Sequence, residues 1–211
     1  MKYIIKQNEP QSFREWKAQA DADWQPTYTN LSGIEKQTVK QSLMAEQGFL
    51  CCYCERRLTD DDSHIEHFRP QNDPLCDPLD YGNLLCSCQN KLAKGDPRHC
   101  GNLKNGWFDE ASLVSPLTED CEDRFAYSGD GGIRPSDPED GHARITIEKL
   151  GLNIRKLRDL RKKAIDPFVD IELSEPEFRQ FVVGYLQQNH EGMFGEFCTT
   201  IRHLFGAHAS V

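Results

Sequence analysis

At 211 residues, with 37% hydrophobic and 28% charged residues, the chain is long enough for one substantial core or for a small domain with a helical companion. No apolar run approaches the roughly 18–20 residues that a membrane helix needs, so no membrane partner is expected. A net charge of −9 excludes a global positive field that would draw in nucleic acid.

The first residues, Met1-Lys2-Tyr3-Ile4-Ile5-Lys6, carry no apolar segment of the secretory type, which predicts a cytoplasmic protein. Gln11 to Trp24 sets Phe13, Trp16, Ala20 and Trp24 at helical spacing, and a break follows from Pro26 to Asn30. Ser32 and Glu35 have the spacing of a capping box. The helix they open would carry Ile34, Val39 and Leu43 near one face and stop at Gly48. Residues 1–48 thus read as an N-terminal helical segment.

Phe49 to Leu58 reads as strand, knuckle, strand, and Ile65 to Phe68 as a short strand ended by Pro70. Asp73 to Asn83 reads as loop, and Cys88 to Asn105 as mixed loop and helix; the segment 49–110 is the predicted core unit. Residues 111–141 are an acidic loop and hairpin segment. Phe125-Ala126-Tyr127 and Gly132-Ile133-Arg134 flank the turn Ser128-Gly129-Asp130-Gly131. Residues 142–211 read as helical. Ala143 to Leu150 and Ile154 to Ile165 are separated by Gly151-Leu152-Asn153. Ser174 and Glu177 open a helix with Phe178, Phe181, Val182, Tyr185 and Leu186 on one stripe. Gly192 opens a last one with Phe194, Phe197, Cys198, Ile201, Leu204 and Phe205. Both stripes fit core packing, and a partner-docking face is the alternative.

Nine cysteines, most of them between residues 51 and 88, point to metal ligation in a compartment that keeps thiols reduced. Cys51-x-x-Cys54 is one knuckle for a structural Zn²⁺; Cys100 and Cys88 are the second pair, with Cys86 the alternative to Cys88. The run His64-Ile65-Glu66-His67 carries the reactive chemistry. Phosphodiester cleavage needs an activated water, and His67 can accept its proton at neutral pH. Glu66 and Asn102 offer oxygen to a catalytic Mg²⁺ or Mn²⁺, with Asn90 the alternative to Asn102. Asn83 can fix the loop backbone beside His67. Adjacent strand residues face opposite sides, so Glu66 and His67 converge only if the strand twists or ends there; His64 and Glu66 are the pair on one face. The basic stretch with Arg155, Lys156, Arg158, Arg161, Lys162 and Lys163 reads as a solvated helix face or as a phosphate contact. Its candidates for nucleic acid are Arg155, Arg158, Arg161 and Lys162.

These residues resemble the HNH, or ββα-metal, endonuclease family over roughly residues 49–107. The resemblance rests on Cys51-x-x-Cys54, Ile65-Glu66-His67-Phe68-x-Pro70, Asn83-Leu84-Leu85 and Cys100-Gly101-Asn102-x-Lys104. It implies an α+β fold: a small ββα-metal core stapled by a zinc-bound cysteine cluster, flanked by N-terminal helices and a C-terminal helical region. It implies His67 as general base, Glu66 and Asn102 on the divalent ion, and Asn83 holding the loop. Glu and Asn stand here where the family often has Asp or His, which favours Mg²⁺ or Mn²⁺. Trp107-Phe108, Ser115-Pro116-Leu117, Asp120-Cys121-Glu122 and Phe125-x-Tyr127 extend the similarity to HNH proteins of Septu-type and retron-associated bacterial anti-phage systems (PtuB-like). That implies a DNA-cleaving effector paired with an ABC-type ATPase (PtuA-like), and a place beside a retron reverse transcriptase. The alternative is a zinc-stapled nucleic-acid-binding or scaffold subunit without catalysis.

Overall fold

The computed structural model describes residues 1–169 and 172–209, so four positions of the predicted 142–211 segment lie outside the described residues. Helix α1 (Gln11–Lys17) buries Phe13 and Trp16 and stops well before Trp24. The Trp24 ring still meets Trp16 edge-on, at 5.6 Å between centroids. It arrives there through a turn in which the Asp21 carboxylate accepts the backbone N–H groups of Asp23 and Trp24. A side chain that captures nearby backbone N–H groups competes with helical bonding, and the predicted helix ends early for that reason.

Helix α2 (Gly33–Glu46) buries Val39, Leu43 and Met44. Ser32 makes no side-chain cap bond, so the expected capping box is not formed there. A tight hairpin follows, bridged between Leu50 and Arg57, and its turn is the Cys51–Cys54 knuckle. Strands β1 (Ser63–His67) and β2 (Leu84–Cys88) pair antiparallel, with Glu66 opposite Leu85 and His67 opposite Leu84. Helix α3 (Gly101–Lys104) is a single turn.

Strands β3 (Phe125–Tyr127) and β4 (Ile133–Pro135) form the predicted hairpin. Gly131 in its turn has φ of 79°. A side-chain carbon there would also lie 2.1 Å from the Arg158 carbonyl oxygen, so only glycine suits the position. Helix α4 (Gly141–Lys149) is capped by Asp140, whose side chain accepts the Ala143 N–H at 2.9 Å. Helices α5 (Arg155–Val169), α6 (Glu175–Leu186) and α7 (Cys198–Phe205) follow. Helix α6 opens as expected, with the Ser174 N–H donating to the Glu177 carboxylate at 2.9 Å.

The last helix begins at Cys198 rather than Gly192. Gly192 and Phe197 have φ of 76° and 53°, which a right-handed helix does not allow. This stretch bonds instead to the first half of the chain: the Phe194 N–H donates to the Gly48 carbonyl and the Phe197 N–H to the Glu55 carbonyl, both at 3.1 Å.

One buried core runs from Met1 to Leu157 and gathers α1, α2, both hairpins and α4. A second gathers Ile165, Phe168, Val182 and Ile201 from α5, α6 and α7. The Phe168 ring lies 4.7 Å from Phe181, 5.1 Å from Tyr185 and 5.2 Å from Phe205. The aromatic stripes of α6 and α7 therefore pack on each other across Phe168. The fold mixes helix and strand, and no described helix is long and apolar enough to cross a membrane.

Candidate active site

Cys51, Cys54, Cys88 and Cys100 are all buried, and their sulfur atoms lie within 4.8 Å of one another. Cys54 Sγ and Cys88 Sγ are 3.8 Å apart. The knuckle supplies two thiols, the end of β2 a third, and the residue before α3 the fourth. That spacing and an all-sulfur donor set fit a tetrahedral ion with metal–sulfur bonds of about 2.3 Å, so this group could bind a metal such as zinc. Cys86, the alternative on β2, stands outside the group, and burial pushes its thiol up to about 12. Burial also pushes on Cys51, but hydrogen bonds from the Cys100, Cys52, Cys54 and Cys88 thiols outweigh it and hold Cys51 well below the usual thiol range. Thiolate is the form that binds metal.

A cavity of about 460 Å³ opens beside this group, lined by Glu66, His67, Gln71, Asn72, Gly101 and Asn105 among others. Glu66 and His67 both reach it because β1 ends at His67, where strict alternation of faces stops. His67 Nε2 lies 3.0 Å from the Pro78 carbonyl oxygen. A carbonyl only accepts, so Nε2 carries the proton and Nδ1 keeps a lone pair. The Gln71 amide nitrogen donates to that lone pair at 3.3 Å. Burial, aided by the Lys104 and Lys36 charges and opposed by Pro78 and Glu66, lowers the His67 pKa below its usual 6.5. The imidazole is therefore neutral at neutral pH.

On Glu66, the Tyr53 hydroxyl donates to Oε1 at 3.1 Å and the Lys104 ammonium donates to the same oxygen at 2.9 Å. Oε2 turns toward His64 Nε2, at 3.6 Å, and toward Gly101. A side-chain carbon at position 101 would lie 2.3 Å from Oε2, so the cavity depends on glycine there. Burial pushes the Glu66 carboxyl up, but His64 and Lys104 outweigh it and hold the group ionised below the usual carboxylate range. The Asn83 amide bonds twice to the backbone of Arg69, two residues past His67: Oδ1 accepts its N–H at 2.8 Å and Nδ2 donates to its carbonyl at 2.9 Å.

No family model matches the chain. It is 31% identical over 149 residues to the candidate HNH endonuclease of retron Vc95 from Vibrio cholerae serotype O1 biovar El Tor, covering 67% of this chain and 70% of that protein. The chain belongs to the HNH endonuclease family. It is also 27% identical over 207 residues to the candidate HNH endonuclease of retron Ec83 from Escherichia coli, covering 80% of each.

This HNH endonuclease does not gather every residue that its sequence offers. Asn102 is half-buried and turned away from Glu66, its Nδ2 donating to the Gln89 carbonyl. Successive helical residues point about 100° apart, and the one facing Glu66 is Gly101. Asn90 is exposed, with Nδ2 at 3.5 Å from the Asp61 carbonyl. Tyr53, Gln71 and Asn105 enter the site without having been singled out, and Lys104, quoted only as the end of the Cys100 motif, enters it with a role that the motif did not give. Lys104 had a signal, since it lies one helical turn from Cys100 and a fold that buries the cysteine buries the lysine with it. Gln71 and Asn105 sit in irregular backbone, where no periodicity marks them.

Arg161 is not on the surface of the HNH endonuclease. It is 2% exposed, and its guanidinium donates to the Gly131 carbonyl at 2.6 Å and the Leu152 carbonyl at 2.8 Å. Arg155, Arg158 and Lys162 stay outside, and each meets an acid: Asp159, Asp130 and Asp166. Arg161→Ala is expected to cost about 2–4 kcal/mol of stability, because two buried carbonyls lose a charged donor. Urea denaturation checks this; an unchanged midpoint together with weakened nucleic-acid binding would return Arg161 to the surface role.

Proposed function

We propose that this chain is a metal-dependent endonuclease hydrolysing phosphodiester bonds of DNA, the effector of a cytoplasmic retron-type anti-phage complex with an ABC-type ATPase. In this reading β1, β2 and α3 are the ββα-metal unit, within residues 49–110, and the remaining segments brace it and dock the partner. One observation carries it: Glu66 and His67 open onto one cavity, one as a held carboxylate and the other as an imidazole with a lone pair on Nδ1.

His67 Nδ1, once water displaces the Gln71 amide from it, takes the proton of the attacking water, and the Pro78 carbonyl receives the Nε2–H of the imidazolium that results. Lys104 keeps Glu66 ionised and, through its bond to the His67 carbonyl at 2.9 Å, ties the two residues together. Glu66 Oε2 and His64 Nε2 would hold the divalent ion, whose chemistry when bound is Lewis-acid stabilisation of the phosphate and the leaving oxygen. An imidazole in place of a second oxygen ligand tips such a site from Mg²⁺ toward Mn²⁺. The four thiols would hold zinc and fix the end of β2 against α3. The retron names of the relatives support the defence setting. A positive surface on an ATPase partner would offset the net charge of −9.

The test is plasmid cleavage with Mg²⁺, Mn²⁺ or EDTA, with and without the neighbouring ATPase. Cutting with either ion and none with EDTA is the expected result. No cutting under any condition would replace this reading with a zinc-stapled binding subunit.

A further inference from the structure

We infer that the DNA strand approaches the site along a groove between α2 and β1, where Lys36 and Lys40 hold its backbone phosphates. The inference rests on the nuclease reading and adds the surface that binds the substrate. The groove is a second cavity, of about 380 Å³, lined by Tyr28, Lys36, Gln37, Lys40, His64 and Asn90 among others. It shares the Ile65 wall with the cavity of Glu66 and His67, so a strand lying in it leads to the reacting centre.

Lys36 and Lys40 are one helical turn apart and address the groove together. Their Cβ atoms are about 5–6 Å apart by helix geometry. One strand of a duplex presents a phosphate about every 3.4 Å of axis, so the pair spans one or two phosphates. Lys36 Nζ stands 5.0 Å from the centre of the Tyr28 ring, and that ring meets the His67 ring edge-on at 4.5 Å. Ammonium, phenol and imidazole thus make successive contacts from groove to base. Lys40 is fixed at the mouth by donating to the Asp60 carbonyl at 2.7 Å, with the Asp60 carboxylate at 3.9 Å.

The rival surface is α5, where Arg161 is buried and Arg155, Arg158 and Lys162 face acids; Lys40 has an acid too, Asp60, so what favours the groove is its place beside Glu66 and His67, which the α5 cations lack. In a chain of net charge −9, a phosphate needs a local cation pair of this kind.

The test is binding of a labelled DNA duplex to the full chain carrying His67→Ala, measured by anisotropy over a range of salt concentrations. Adding Lys36→Gln and Lys40→Gln is expected to weaken binding at least tenfold at low salt. The slope of log affinity against log salt should become shallower by about 0.9–1.8, since each of the one or two phosphate contacts contributes about 0.9. Lys36→Arg with Lys40→Arg should restore both, and Arg155→Gln with Arg158→Gln should change neither. Unchanged affinity and slope in the double glutamine variant would overturn the groove, as would a parent protein that binds no duplex at the lowest salt. Plasmid cutting by the unaltered chain judges the nuclease reading separately, so the two can fail apart.

Discussion

Replacing His67 by alanine is expected to slow DNA cleavage by about 10²–10⁴-fold, the range that a positioned general base supplies. The side chain also has a structural role. Its ring contact with Tyr28, at 4.5 Å, is worth about 0.5–1.5 kcal/mol and its bond to the Pro78 carbonyl, at 3.0 Å, about as much again. At this chain length that is a fall of roughly 2–12 °C in melting temperature. Single-turnover cleavage and a thermal melt on the same sample separate the two effects. Unchanged cleavage would remove His67 as the base; a collapsed melt would make the loss structural. The acid limb of the rate adds a second readout. A lowered His67 pKa means that the base form persists as pH falls through 6.5, so the rate should hold there and drop only below it. A rate that halves at or above pH 6.5 would contradict the buried, carbonyl-bound imidazole.

Cys51→Ser is expected to release one equivalent of zinc and most of the protein's stability. Cys54 and Cys88 are 34 residues apart in sequence, and the group they share with Cys51 and Cys100 joins the knuckle to the end of β2 and the start of α3. Structural zinc sites contribute apparent free energies of about 10–16 kcal/mol in small domains, comparable with the 5–15 kcal/mol that holds a typical domain folded. Elemental analysis and denaturant midpoints check the result. Cys86→Ser should retain the ion, because that thiol lies outside the group. Purified protein with no bound metal would remove the zinc reading altogether.

Local grammar made several elements legible. The turn Ser128 to Gly131 announced its hairpin, Ser174 and Glu177 their capping box, and Cys51-x-x-Cys54 its knuckle. Each is decided within a few residues, so the chain carries the information locally. Two misses were local, the Asp21 turn beyond α1 and the uncapped Ser32, but the larger ones were decided by distant partners. The approach to α7 is unwound by bonds to Gly48 and Glu55, more than a hundred residues away. Arg161 sits among five other basic residues, and nothing in that stretch says that the Gly131 turn will cover this one. The site divided along the same line. Glu66 and His67 close β1, and Asn83 stands on the turn just before β2, where the pairing of the strands sets it beside Arg69. Asn102 bonds to Gln89 while its neighbour Gly101 faces Glu66, a difference of one helical step that composition cannot resolve.

Gly101 carries a consequence for how the reactive complex assembles. On the reading in which Glu66 and His64 hold the divalent ion, the first residue of α3 has no side chain to add a donor, and Asn102 is spent on Gln89. Water and a phosphate oxygen of the substrate complete the shell. Ion and strand are then linked ligands, and by reciprocity each raises the affinity for the other by the same factor. Such an enzyme holds its ion loosely while idle and tightens on it when DNA arrives, so occupancy by substrate governs how much of the ion pool the protein captures.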